Sequence, residues 1–83
     1  MRLIQKPILK IDRKGNREWY LNRKRHREGG PAAEWHDGYK GWYINGKKHR
    51  EGGPACEWPK GFKKWFLNGI EYTEEEYYEK TSS

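Results

Sequence analysis

The sequence predicts a mainly β fold, an antiparallel β-meander of tandem hairpins that is closed by a short C-terminal α-helix. Three observations support this fold class: an internal period of 23 residues, Asn-Gly pairs between short aromatic segments, and a helix-capping pattern near the end. A fixed period is typical of repeat proteins in which each unit is one supersecondary element. We therefore predict one domain over residues 1–83.

The repeat covers three units, which are residues 15–37, residues 38–60 and a partial third unit at 61–72. Each unit begins with Gly and has Trp four residues later. The block His-Arg-Glu-Gly-Gly-Pro-Ala occurs at residues 26–32 and again at 49–55. Matches of this density predict the same local structure in each unit.

The first elements are two predicted strands. Residues 3–11 (LIQKPILKI) are rich in branched residues, as strands are. Pro7 has no N–H group, so we expect this strand at an edge of the sheet. Residues 17–22 (REWYLN) form the second predicted strand.

The clearest turn lies in the second unit, where Asn45-Gly46 follows Trp42-Tyr43-Ile44. This pair is favoured in two-residue type I′ turns because both turn residues need positive φ. The first unit has Arg23 where Gly would be usual, so Arg23→Gly is expected to be neutral or stabilising.

The end of the chain changes from strand to helix. Thr73 and Glu76 form a capping box, in which the Thr73 side chain caps the helix and Glu76 bonds back to the cap. We expect a helix at about 74–80, so that residues 73–80 cover the last repeat.

Composition limits the class of protein. The net charge of +6 favours an anionic partner, although it is also what a soluble surface needs. A single cysteine excludes an internal disulfide and is consistent with a cytoplasmic, intracellular protein. The charged N-terminus does not resemble a signal peptide, and no apolar run is long enough to span a membrane.

Residues that could carry chemistry are few. His26 and His49 occupy equivalent repeat positions, which favours a structural role over catalysis or metal binding, and His36 is isolated. Cys56 has no histidine that the sequence places beside it as a base. We therefore predict no catalytic residue, no metal site and no cofactor, and we do not expect an enzyme.

A two-residue turn also fixes which side chains share a face of the sheet. Face A, defined by the repeat tryptophans, is the more apolar and is the predicted core, joined by Trp35, Trp58 and Cys56. Its repeat positions are Trp19, Leu21, Trp42, Ile44, Trp65 and Leu67. Face B combines rings with cations and is the predicted partner face. Its binding residues are Tyr20, Arg25, Arg27, Tyr43, Lys48, Arg50 and Phe66.

The pattern from Tyr39 to Gly61, with its Asn-Gly-Lys-x-His turn and later glycines, resembles the MORN repeat. The variant WYLNGKxHREGGPAxEW is even more similar and is associated with small phage, large-virus and bacterial proteins. This resemblance implies an elongated binding scaffold without catalytic residues. In MORN proteins the partners are proteins or lipid head groups.

Together these features predict a non-enzymatic protein-interaction module, a phage or viral product that binds or inhibits a host factor such as a defence component. Two alternatives remain open: nucleic-acid binding through the basic and aromatic face B, and binding of anionic lipid head groups at a membrane surface. Because one sheet and one short helix cannot cover both faces, we also expect a homodimer through face A or the N-terminal strand.

Overall fold

The computed structural model describes residues 5–82 and confirms the mainly β fold with one C-terminal helix. Residues 3 and 4 of the predicted first strand lie outside this range. The strands are β1 (Ile8–Ile11), β2 (Arg17–Leu21), β3 (Lys24–Arg25), β4 (Ala33–Glu34), β5 (Lys40–Gly41), β6 (Tyr43–Ile44), β7 (Lys47–Lys48), β8 (Cys56–Glu57), β9 (Lys63–Leu67) and β10 (Ile70–Tyr72). The helix α1 spans Glu74–Thr81.

The main sheet is an antiparallel meander in the order β1-β2-β4-β5-β8-β9-β10, with β3 paired to β2. The hairpin β6-β7 forms a small separate sheet, in which Tyr43 lies opposite Lys48 and Ile44 opposite Lys47, as predicted. The first full repeat therefore supplies the hairpin β2-β3 and the short strand β4, and the second supplies the hairpin β6-β7 and the short strands β5 and β8. The last short strand of each full repeat pairs with the following unit, as β4 pairs with β5 and β8 with β9.

The hairpins turn in two residues, including the first one. Asn22 and Arg23 have φ values of 52° and 66°, which match the 50° and 81° of Asn45 and Gly46. The first unit therefore uses the same turn geometry even though Arg23 is strained there.

The predicted capping box is present at the start of α1. The Thr73 hydroxyl accepts from the Glu76 N–H at 3.1 Å, and the Glu76 carboxylate accepts from the Thr73 N–H at 2.9 Å. Tyr77 is fully buried, and its hydroxyl donates to the Arg50 carbonyl and accepts from the Gly53 N–H. The helix is thus bonded directly to the second Gly-Gly-Pro loop.

The prediction that the repeat positions of face A form the core is wrong, although Cys56 is fully buried as predicted and Trp42 and Trp58 pack against the core. Tyr43 and Phe66 of face B are each only 8% exposed, and they belong to the core. Around them lie the fully or nearly fully buried Ala32, Ala33, Tyr39, Ala55 and Cys56. The face A positions are all half-buried instead: Trp19, Leu21, Trp42, Ile44, Trp65 and Leu67.

The Gly-Gly-Pro break explains this reversal. After His49 the chain leaves its hairpin, and the Arg50 N–H bonds to the Phe66 carbonyl of the next unit. The short strand that follows brings Ala55 and Cys56 beside Tyr43, where small side chains permit close packing. Burial of the face B rings therefore depends on a segment whose register the turn rules do not determine.

Candidate functional site

The residues predicted as a partner face do not form one surface. Tyr43 and Phe66 are buried, while Arg27 and Arg50 lie on face A. Three half-buried residues remain on face B: Tyr20, Arg25 and Lys48. The last two cover core rings, with the Arg25 guanidinium 5.3 Å from the Tyr43 ring centroid and the Lys48 ammonium 4.9 Å from that of Phe66. These cations close the core and do not surround an open site.

The repeated arginine is held from several sides. The Arg50 guanidinium lies 3.8 Å from the Trp42 ring centroid, donates to the Pro54 carbonyl at 2.9 Å and pairs with Glu57 at 3.1 Å. A Cβ on Gly53 would approach its central carbon to 3.0 Å. The first unit repeats this arrangement around Arg27. The Arg-Glu-Gly-Gly-Pro block occurs in both full units because each of these arginines needs the Gly-Gly-Pro loop beside it.

The repeated histidines also have a structural role. The Nδ1 atom of His26 accepts from the Asn45 N–H at 3.0 Å, and Nδ1 of His49 accepts from the Asn68 N–H at 3.0 Å. Each histidine thereby positions the turn of the following unit. Within residues 5–82 no cluster of three or more His, Cys, Asp or Glu side chains could hold a metal ion.

Among residues 5–82, large apolar side chains reach solvent in three places. The first is strand β1, the second is the end of the sheet where units join, and the third is the last hairpin with α1. The exposed residues are Ile8, Leu9 and Ile11 in the first place, Trp35 and Phe62 in the second, and Ile70 and Tyr78 in the third. Of these, only the second is built from aromatic rings that contact one another in series.

We call this series the aromatic row: Trp35, Tyr39, Trp58 and Phe62. Successive ring centroids are 4.8, 5.1 and 5.4 Å apart, with tilted or edge-to-face contacts. Tyr39 is buried, whereas Trp35 is 39% and Phe62 is 61% exposed. The row thus leads from the core to solvent at both ends, and its rings have little freedom to lose on binding.

Two equivalent turns position the row. The Trp35 N–H donates to the Tyr39 carbonyl at 2.9 Å, and the Trp58 N–H donates to the Phe62 carbonyl at 2.9 Å. Gly38 has a φ of +99°, and a Cβ there would lie 2.7 Å from Pro59 of the neighbouring turn. The turns therefore stack closely, and this stacking holds the rings of adjacent units in contact.

The row is anchored at its centre by Tyr39. Its hydroxyl donates to the Cys56 sulfur at 3.4 Å and lies where a side chain on residue 41 would be, so only Gly41 fits. Burial, followed by the hydrogen bond with Cys56, raises the pKa of Tyr39 far above its ordinary value. The phenol is therefore neutral and acts as a fixed structural group.

Beside Trp58 and Phe62 lies a shallow depression of about 630 Å³, completed by Asp37, Pro59 and Lys60. One carboxylate and one ammonium give it no strong charge of either sign. A larger depression of about 790 Å³ lies between the last hairpin and α1, where Glu51 and Lys80 contribute flexible charged side chains.

The sequence contains a periodic signal for this row. Trp35 and Trp58 are one period apart, and so are Tyr39 and Phe62. Trp35 and Trp58 were expected to join face A, whereas Tyr39 and Phe62 had no predicted face, so the four rings were not placed together.

No protein-family model, no curated protein and no solved structure matches this chain. The MORN-like character therefore stays a prediction. Within residues 5–82 no helix is long and apolar enough to cross a membrane.

Proposed function

We propose that this chain is a non-enzymatic binding module of MORN-like character that captures a protein partner on the aromatic row. The observation that carries the proposal is the exposure of Trp35 and Phe62 at the ends of a row of contacting rings. Large aromatic residues that are rigid and partly exposed dominate the energetics of many protein interfaces.

The chemistry of the row favours a protein over a nucleic acid. Its rings already contact one another, so no gap between them accepts a base, and Asp37 lies in the adjoining depression. Two of the arginines assigned to face B already have carboxylate partners, since Arg25 pairs with Glu18 at 2.8 Å and Arg50 with Glu57 at 3.1 Å. Burial of Tyr43 and Phe66 also removes the stacking platform on which the nucleic-acid alternative rested.

Variants of the row test the proposal. Immobilised wild-type protein and the double variant Trp35→Ala/Phe62→Ala would capture partners from nuclease-treated cell lysate. We expect a protein partner that wild type retains and the double variant loses by at least about tenfold, equivalent to about 1.4 kcal/mol. Both rings are partly exposed, so thermal unfolding should show that the double variant remains folded.

The matched control is Tyr78→Ala, which removes an aromatic ring that is 43% exposed on α1. It should retain the partner. Equal loss in the control and the double variant would contradict the assignment to the row. Direct binding of labelled single-stranded RNA or of anionic vesicles that depends on Trp35 and Phe62 would replace the protein partner by one of the alternatives. The expected role as a phage or viral inhibitor of a host factor stays a prediction.

A further inference from the structure

Strand β1 is an open sheet edge with an unusual number of exposed apolar side chains. Ile8, Leu9 and Ile11 are 68%, 42% and 57% exposed. Within residues 5–82, β1 pairs with β2 on one side and with no strand on the other. Soluble proteins generally protect such edges, because an open strand pairs readily with another chain.

The backbone register shows which groups are free at this edge. Leu9 lies opposite Trp19. The backbone of Trp19 bonds on its far side, with its N–H donating to the Ala32 carbonyl at 2.8 Å and its carbonyl accepting from the His26 N–H at 3.0 Å. In an antiparallel pair, opposed residues point their backbone groups either both inward or both outward. The N–H and C=O of Leu9 therefore point away from the sheet.

The same alternation directs Ile11 outward, and extending the register by one residue before β1 directs Pro7 outward as well. Antiparallel pairing of two β1 strands about a two-fold axis must place outward residues opposite each other, which allows a centre at any of the four residues of β1. A centre at Ile8 places Lys6 of each copy opposite Lys10 of the other. A centre at Lys10 opposes two ammonium groups, and a centre at Ile11 places Leu9 opposite Arg13. A centre at Leu9 places Leu9 opposite its own copy and Ile11 opposite Pro7. Only this last register gives both Leu9 and Ile11 an apolar partner and opposes no two cations.

We propose that a second copy of this chain pairs with β1 in the Leu9-centred register and joins the two sheets edge to edge. Leu9 of each copy exchanges N–H···O=C bonds with Leu9 of the other, and the Ile11 N–H donates to the Pro7 carbonyl. Because Pro7 has no N–H, the Ile11 carbonyl opposite it receives no hydrogen bond from the strand and is left to water. Leu9 and Ile11 of both copies then cluster on face A beside Trp19.

Charge supports the same register. The Leu9-centred register places Lys6 of one copy opposite Asp12 of the other, and the two-fold axis generates a second such pair. Asp12 is held by hydrogen bonds from the N–H groups of Lys14 and Asn16 at 2.9 and 3.0 Å, so its carboxylate is fixed at the end of the strand. Lys10 lies opposite Ile8 and faces no cation. A four-residue edge buries less surface than a stable dimer interface, so association should depend on concentration.

Cysteine cross-linking tests the register. In Leu9→Cys the two thiols occupy a hydrogen-bonded pair, with Cα atoms about 5.5 Å apart, which a disulfide can span. In Ile11→Cys the two symmetry-related positions are about 14 Å apart along the strands, which is too far. Under mild oxidation we expect a covalent dimer for Leu9→Cys only. Wild type controls for the native thiol, because Cys56 is fully buried.

Sedimentation of the unmodified chain supplies the second measurement. The average mass should rise from 10.0 kDa toward twice that value on concentrating. Leu9→Lys should weaken association at least about tenfold because it opposes two ammonium groups. Ile70→Lys makes the same charge change at another exposed site and should have no effect. A constant mass of 10.0 kDa up to roughly millimolar concentration, or stronger cross-linking of Lys10→Cys than of Leu9→Cys, would overturn the proposal.

Discussion

Replacing Gly41 by alanine should destabilise the domain by about 2–3 kcal/mol, the upper part of the range for overpacked cores. The added Cβ would lie 2.6 Å from the Tyr39 hydroxyl oxygen, 2.9 Å from Cε1 of Tyr43 and 3.1 Å from Cζ of Tyr39. Ordinary contacts between carbon atoms are about 3.5–4.0 Å, so one of the rings must move. Both rings are buried, and moving Tyr39 also stretches its bond to Cys56.

Urea unfolding followed by tryptophan fluorescence measures this cost, and thermal unfolding should show a decrease of roughly 10–20 °C in Tm. Gly61→Ala is the control, because Gly61 has a φ of +91° and nothing within 4 Å of the added methyl group. Its cost, about 1–2 kcal/mol, would come from backbone strain alone.

The decisive comparison is rescue by Tyr39→Phe, which removes the nearest atom. In a double-mutant cycle this change should recover about 1 kcal/mol from Gly41→Ala and nothing from Gly61→Ala. Only partial recovery is expected, because the contacts at 2.9 and 3.1 Å remain. Strict additivity of Gly41→Ala and Tyr39→Phe would refute the argument that the hydroxyl leaves room only for glycine.

Three further predictions concern other parts of the fold. Tyr77→Phe removes the buried hydroxyl that bonds α1 to the Gly-Gly-Pro loop and should cost about 1–3 kcal/mol in urea unfolding; an unchanged midpoint would show that water replaces it. Arg23 has a φ of 66°, which strains a residue with a side chain, so Arg23→Gly should raise the Tm slightly. A lower Tm would contradict the claim that Arg23 is strained. Burial alone would raise the pKa of Glu18, but hydrogen bonds from Tyr20 and Arg25 outweigh it and hold the pKa below 4.5. Its stabilisation is complete above about pH 4.5 and is lost as pH falls through the folded pKa, so Glu18→Gln should flatten the acid limb of the stability profile.

The hairpins and the capping helix were predictable because their signals are local. A two-residue turn specifies both φ values and the register of the flanking strands, as Asn45-Gly46 does here. Thr73 and Glu76 are three residues apart, and their capping box needs no other part of the chain.

The identity of the buried face was not predictable in the same way. Composition favoured the tryptophan face, but Arg50 covers Trp42 while Ala55 and Cys56 pack beside Tyr43. These contacts join segments on either side of the Gly-Gly-Pro break, where the register is no longer set by a turn. The aromatic row has the same origin, since it combines rings from two different turns.

One pair of repeat positions contained a usable signal of contact. Glu18 and Arg25 form an ion pair in the first unit, and Lys64 and Glu71 occupy the same positions in the third with the charges exchanged. An exchange of charge between two periodic positions indicates that their side chains meet, because opposite charges are then kept in both units. The exchange of charge therefore indicates, from the sequence alone, that Glu18 and Arg25 lie across the same hairpin, and that Lys64 and Glu71 do so in the third unit.

The sequence by itself therefore determined the period, the turns, the edge position of the strand that follows Pro7 and the capped helix, because each depends on residues within a few positions of one another. Only the tertiary structure decided that Tyr43 and Phe66 are buried, that Trp35 and Phe62 are exposed, and that no strand of residues 5–82 pairs with the outward groups of Leu9. Burial is a property of what covers a side chain. Here Arg25 and Lys48 of the preceding units cover Tyr43 and Phe66, and Ala55 and Cys56 pack beside Tyr43 from beyond the Gly-Gly-Pro break.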